Sequence, residues 1–194
     1  MKTKISVALV LSGLALPALA EPQRYELDPV HTTVSFLVDH VGYAGTLGLF
    51  ASVEGAFTFD MDTQTLSDLE VRVMTDSVIT LNDARDKHVR SKDFLNVGAH
   101  PVMTFSASEG HATDATSGSV TGSLTLLGET RPLTLEVWLN KAEPYPFGHK
   151  RFVLGISARG TLQRSDYGMT YGVDNGLVGD TVDLIIETEA MRIE

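Results

Sequence analysis

The chain has no cysteine. It can therefore form neither a disulfide nor a thiolate zinc set, it cannot carry a lipid on a cysteine, and an exported protein of this sequence has to hold its fold by core burial alone. Positive charge is scarce as well, with 15 lysines and arginines against 25 aspartates and glutamates and a formal charge of −10. Such a surface repels phosphate backbones at long range, which argues against nucleic acid as a partner and leaves membrane contact transient at most. Past the first twenty residues there is no apolar run long enough to span a bilayer as a helix. The early run, residues 5–16, follows Lys2 and Lys4 and leads into Ala18-Leu19-Ala20, a small-x-small cleavage site. The pattern predicts a signal peptide over residues 1–20, cut after Ala20, and a soluble periplasmic or secreted domain over residues 21–194. Loss of Lys2 and Lys4 takes the formal charge from −10 to −12.

From Glu21 onward, apolar and polar residues alternate with period two. Val34, Phe36 and Val38 oppose Ser35 and Asp39; Val53, Phe57 and Phe59 oppose Glu54, Thr58 and Asp60; Leu69, Val71 and Val73 alternate with Asp68, Glu70 and Arg72. The same pattern recurs at Met103 and Phe105, at Val120, Leu124 and Leu126, and at Leu133, Leu135, Val137 and Leu139. It returns over residues 152–162 and at Val182, Leu184 and Ile186. About eight strands with one apolar face each predict an all-β domain. A closed antiparallel barrel accommodates them while removing sheet edges, and a two-sheet sandwich fits the same alternation. Residues 80–96 interrupt the pattern. Asn82-Asp83 can cap a helix and residues 84–90 contain no breaker, so a short helical cover is expected there. Loops are expected at residues 109–118, 141–150 and 168–179.

Six histidines, His31, His40, His88, His100, His111 and His149, are scattered without metal-ligand spacing. The chain has no Gly-x-Ser-x-Gly elbow and no phosphate-cradling glycine loop, so no catalytic residue, metal ligand or cofactor is assigned. A metal-binding protein or hydrolase using His31, His40, His88 or His100 is the rival reading. Two charged clusters are sharper, Arg85-Asp86-x-His88 on the expected helix and Arg164-Ser165-Asp166-Tyr167-Gly168 at a strand end. Each arginine either grips an anionic head group at a barrel mouth or pairs with nearby carboxylates and pins a loop. Sequence proximity favours pinning. The phenylalanines either fill a core or line a cavity.

Several blocks carry a resemblance: Tyr25-x-x-Asp28-Pro29-x-His31, Asp76-Ser77-Val78, Arg85-Asp86-x-His88-Val89, Ser91-x-Asp93-Phe94 and His100-Pro101-x-x-Thr104-Phe105. Further along come Gly122-x-Leu124-Thr125-Leu126-x-Gly128-x-Thr130-x-Pro132 and the Arg164 to Gly168 cluster. From about Tyr25 to Ala190 the chain resembles the YceI-like family of exported polyisoprenoid-binding proteins. Thr32, Val89 and Tyr167 are conservative departures. The resemblance implies a lipocalin-like, eight-stranded antiparallel barrel with short helical elements, holding a polyprenyl phosphate or isoprenoid quinone and sometimes forming homodimers. It implies a binding protein, not an enzyme. The cavity candidates are Phe36, Val38, Phe57, Phe59, Val71, Val73, Phe94, Phe105, Leu124, Leu126, Leu135, Val137, Phe152, Leu154, Ile156, Leu162 and Leu184, and the head-group candidates are Arg85, His88 and Arg164. A plugged barrel acting as a stress or interaction protein is the remaining alternative.

Overall fold

The structure, a computed structural model, describes residues 21–193, and the leader read for residues 1–20 lies outside them. The strands are β1 (Gln23–Leu27), β2 (Thr33–His40), β3 (Ala44–Phe50), β4 (Val53–Asp60), β5 (Thr65–Met74) and β6 (Val78–Ile79). After helix α1 (Asp83–Val89) come β7 (Val102–Ala107), β8 (His111–Ala112), β9 (Ser117–Leu126), β10 (Glu129–Pro144), β11 (Phe152–Gln163) and β12 (Val178–Arg192).

These segments make one closed, eight-membered antiparallel barrel, because several are halves of a bent stave. β1 and β2 both pair with β12, β4 pairs with β1 as β3 does with β2, and β5 and β6 flank β4 and β3. β5 then pairs with β7, β7 with β9, and β9 through β12 follow as a meander. Closure pairs β1 and β2 with the last strand, so the eight-membered ring has no terminal edge strand. The barrel reading therefore holds and the sandwich does not.

Besides the two-residue β6 and β8, the latter inside the loop expected at residues 109–118, two strands escaped the alternation. β1 has only Tyr25 and Leu27 to reveal it, yet Tyr25 is 1% exposed and stacks on Phe57 with ring centroids 5.5 Å apart. β3 is masked by Gly45 and Gly48, and Gly48 has a packing reason. A Cβ there would come within 2.2 Å of the Phe36 ring on the paired strand. The Phe36 ring lies across the backbone of β3, and only glycine leaves it room. Gly160 does the same for Leu135, whose methyl would meet an added Cβ at 2.7 Å.

Register shifts explain where strict alternation misleads. Between Ala56–Glu70 and Thr58–Ser67, β5 advances three residues while β4 advances two, and the extra residue lies beside Asp68 at φ +52°. The bulge turns both Leu66 and Leu69 inward, a spacing that a regular strand forbids. A second bulge at Asn140 lets β10 continue to Pro144, well into the segment expected to be a loop.

Helix α1 forms where expected, with the Asn82 side chain accepting the Arg85 N–H at 3.0 Å. It is held by Asp86, 8% exposed, whose Oδ1 accepts the Thr80 N–H at 2.6 Å and the Thr80 hydroxyl at 2.5 Å. The hydroxyl bond is the main cause that lowers the Asp86 pKa from 3.8, opposed by burial and helped by the Thr80 N–H and by Arg90 and Arg85. A lowered carboxylate pKa stabilises the fold above 3.8 and ceases to do so as pH falls through the folded value. Asp86→Asn is accordingly expected to be less stable than wild type at neutral pH, with the gap closing on acidification below 3.8. Denaturant midpoints of both proteins against pH check this, and a constant gap would contradict it.

Candidate functional site

The inward faces do not fill the barrel. A cavity of about 360 Å³ lies inside it, within the range of small-molecule sites. Phe36, Val71, Val137, Leu184 and Ile186 line it and, though packed against the core, are only half-buried, because part of each inner face meets the cavity. A plugged barrel would have left them fully covered.

Sixteen of the seventeen apolar candidates reach this wall: Phe36, Val38, Phe57, Phe59, Val71, Val73, Phe94, Phe105, Leu124, Leu126, Leu135, Val137, Leu154, Ile156, Leu162 and Leu184. Phe152 does not. It has the inward parity of Leu154, but it pairs with Pro144 at the end of the β10–β11 ladder and packs against the Tyr25, Phe57, Leu154 and Ala190 cluster, with the Arg192 guanidinium 5.4 Å from its ring centre. The wall also contains Phe50, Leu66, Met103 and Met169. Phe50 lies on the unread strand and Leu66 behind the bulge. Val182 and Ile186 also line the cavity, and their alternation was a usable signal.

The two ends of the barrel differ. At one end Leu95, Tyr167 and Met169 are buried and pack with Phe94 into the core, closing it with side chains. Arg164, 2% exposed, is the anchor of this seal. Its Nε donates to the Gly179 carbonyl at 2.7 Å, Nη1 to Met169 at 2.8 Å, and Nη2 to Tyr171 and Val178, both at 2.8 Å. The expected carboxylate partner is thus replaced by four carbonyls, since the loop after Tyr167 wraps the guanidinium with its backbone. The Asp180 carboxylate instead accepts the Ser165 N–H at 2.9 Å and hydroxyl at 2.7 Å. Burial pulls the Arg164 pKa down from its ordinary value, with Asp180 opposing.

Arg85 and His88 lie outside the cavity lining. Arg85 donates from Nε to the Thr80 hydroxyl at 2.9 Å and from Nη2 to the Thr80 carbonyl at 2.5 Å, again in place of a carboxylate. His88 meets Asp93 Oδ2 at 3.1 Å, and its ring stands edge-on to Phe94 and Tyr171, each at 5.0 Å. Of the three head-group candidates, only Arg164 touches the cavity wall.

At the other end, the exposed residues of the lining, His111, Ala112, Asp114, Ala115 and Thr116, all belong to the segment before β9. This marks the mouth. Gln64 donates to the Ala115 carbonyl at 2.8 Å, and Leu139 N–H to the Thr116 carbonyl at 2.8 Å, so the rim is tied to the β4–β5 turn and to strand β10.

The histidines do not assemble with one another. Among the described residues, His31 joins Asp28 and Glu189 in a group with metal-ligand spacing. Asp28 is already engaged, accepting the Val30 N–H at 2.9 Å and meeting His31 Nδ1 at 2.8 Å, so the trio pins the β1–β2 link to β12.

This architecture recurs in known proteins. A YceI-like domain model matches residues 25–190. A UPF0312 protein of Pectobacterium carotovorum is 36% identical over 192 residues, covering 98% of this chain and 97% of its own length. The Campylobacter jejuni YceI protein superposes with a TM-score of 0.73 at 26% identity, over 80% of this chain and 90% of its own. A polyisoprenoid-binding domain from Saccharophagus degradans shares the fold with a TM-score of 0.60 at 15% identity, over 87% of this chain and 98% of its own. The closed barrel and the agreement of the matched residues with its first and last strands place this chain in the YceI-like family.

Proposed function

We propose that this protein binds a long-chain isoprenoid lipid in its barrel and carries or stores it in the periplasm after loss of residues 1–20. The observation that carries the reading is the cavity, walled almost entirely by aliphatic and aromatic side chains and open at a polar rim. Walls of this apolar character suit binding by dispersion and exclusion of water. The polyisoprenoid-binding domain of Saccharophagus degradans supports the same ligand class.

Energetics suit exchange. Burial from water yields about 0.8 kcal/mol per methylene, so a polyprenyl tail referenced to water would exceed any observed non-covalent affinity. The free lipid resides in a bilayer, and transfer from there into an equally apolar barrel is near neutral. Such a balance allows loading and release.

Protein purified from its own host's periplasm is expected to yield a prenyl lipid on organic extraction, identified by mass spectrometry. Adding that lipid back to stripped protein should raise the thermal midpoint, as any ligand selective for the folded state does. Stripped protein that takes up neither prenyl phosphate nor quinone would refute the reading.

A further inference from the structure

We propose that the tip of the β10–β11 hairpin, residues 145–151, is a docking element for an anionic phospholipid surface, holding the cavity mouth toward the bilayer. The inference rests on the carrier reading and supplies the step at which lipid enters or leaves.

Four observations converge on this tip. It is aromatic and exposed: Phe147 is 65% exposed, and Tyr145 stacks on His149 with centroids 4.7 Å apart and meets Phe147 edge-on at 4.9 Å. Aromatic rings of this kind favour the headgroup level of a membrane.

It is also cationic in an acidic molecule. Lys141, Lys150 and Arg151 stand against Glu143, which is already paired with Lys141 at 3.1 Å, within a chain of formal charge −10. On the β12 side the adjoining charge is Arg192 over Phe152. The field of the acidic body therefore turns the hairpin toward an anionic surface.

The hairpin overhangs. The ladder to β9 ends at Trp138, and Thr116 still accepts the Leu139 N–H, so on that side β10 runs on without a β9 partner from Asn140 to Pro144, about 15 Å along the strand. That distance exceeds the Debye length of roughly 8 Å at physiological salt, so repulsion between the bilayer and the rim carboxylate Asp114 is screened.

Finally, the tip is rigid. Tyr145 N–H donates to the Arg151 carbonyl at 2.8 Å, Arg151 N–H to His149 Nδ1 at 3.1 Å, and Lys150 Nζ to the Pro146 carbonyl. Ordering on docking therefore costs little. Because Leu139 at the hairpin's base is bonded to rim residue Thr116, the tip and the mouth move together.

The test is cosedimentation of the exported protein with phosphatidylglycerol-rich vesicles and with pure phosphatidylcholine vesicles, neither containing prenyl lipid. Wild type should bind the anionic vesicles and bind phosphatidylcholine far less. Phe147→Ser, and Lys150→Glu combined with Arg151→Glu, should each lower the anionic partition coefficient about tenfold. These positions are exposed and outside the cavity, so thermal midpoints and prenyl uptake from detergent should match wild type. Wild type left in the supernatant, or variants that bind as well as wild type, would overturn the docking role. Failure of prenyl uptake from detergent would remove the carrier reading and leave the vesicle result standing.

Discussion

Arg164→Ala should lower the unfolding free energy by about 4 kcal/mol or more, enough to leave much of the protein unfolded at growth temperature. The guanidinium is 2% exposed and donates to four carbonyls, those of Met169, Tyr171, Val178 and Gly179. Hydrogen bonds to a charged group contribute roughly 1.5 to 3 kcal/mol each, though a loop released into water recovers part of that. Alanine would also remove the cation 5.8 Å from the centre of the Phe94 ring and open the sealed end of the barrel. Arg164→Lys should recover only a fraction, because one ammonium cannot reach four carbonyls spread around a planar fork. Denaturant unfolding of both variants without added ligand measures the loss. An unchanged midpoint, with affinity falling only for phosphorylated prenyl ligands, would instead make Arg164 a head-group residue.

Arg164 also shows what the sequence could disclose and what it could not. The cluster from Arg164 to Gly168 favoured a loop pin over a head-group grip, because an arginine and an aspartate close in sequence more often form a local structural network. Its partners were not visible, since backbone carbonyls leave no trace in composition. The same division runs through the cavity. Most wall residues follow from alternation, which is a property of the strand itself. Leu66 was hidden because a bulge at Asp68 breaks the period, and Phe50 because Gly45 and Gly48 dilute the pattern of β3. Phe152 failed for the opposite reason. Its parity is correct, but parity does not say where a strand passes the end of the barrel, which depends on partner lengths elsewhere in the chain.

Leu135→Asp should be nearly as damaging as loss of Arg164, about 3 to 5 kcal/mol, while Glu136→Ala should stay within roughly 0.5 kcal/mol. The two residues are neighbours on β10 and point oppositely. Leu135 is 8% exposed, lines the cavity and lies against Gly160, whereas Glu136 faces solvent and Trp138, 42% exposed, shares its face. A carboxyl introduced at position 135 meets an apolar wall and no donor, so burial raises its pKa above the unfolded value. Its penalty is then largest at neutral pH and shrinks on acidification toward the unfolded aspartate pKa, about 3.9, where the group is neutral in both states. Denaturant midpoints of the two variants at neutral and mildly acidic pH settle the point. Comparable losses in both variants, or a Leu135→Asp penalty that does not ease as pH falls, would mean that position 135 faces solvent and that the wall of the barrel has been assigned to the wrong face of β10.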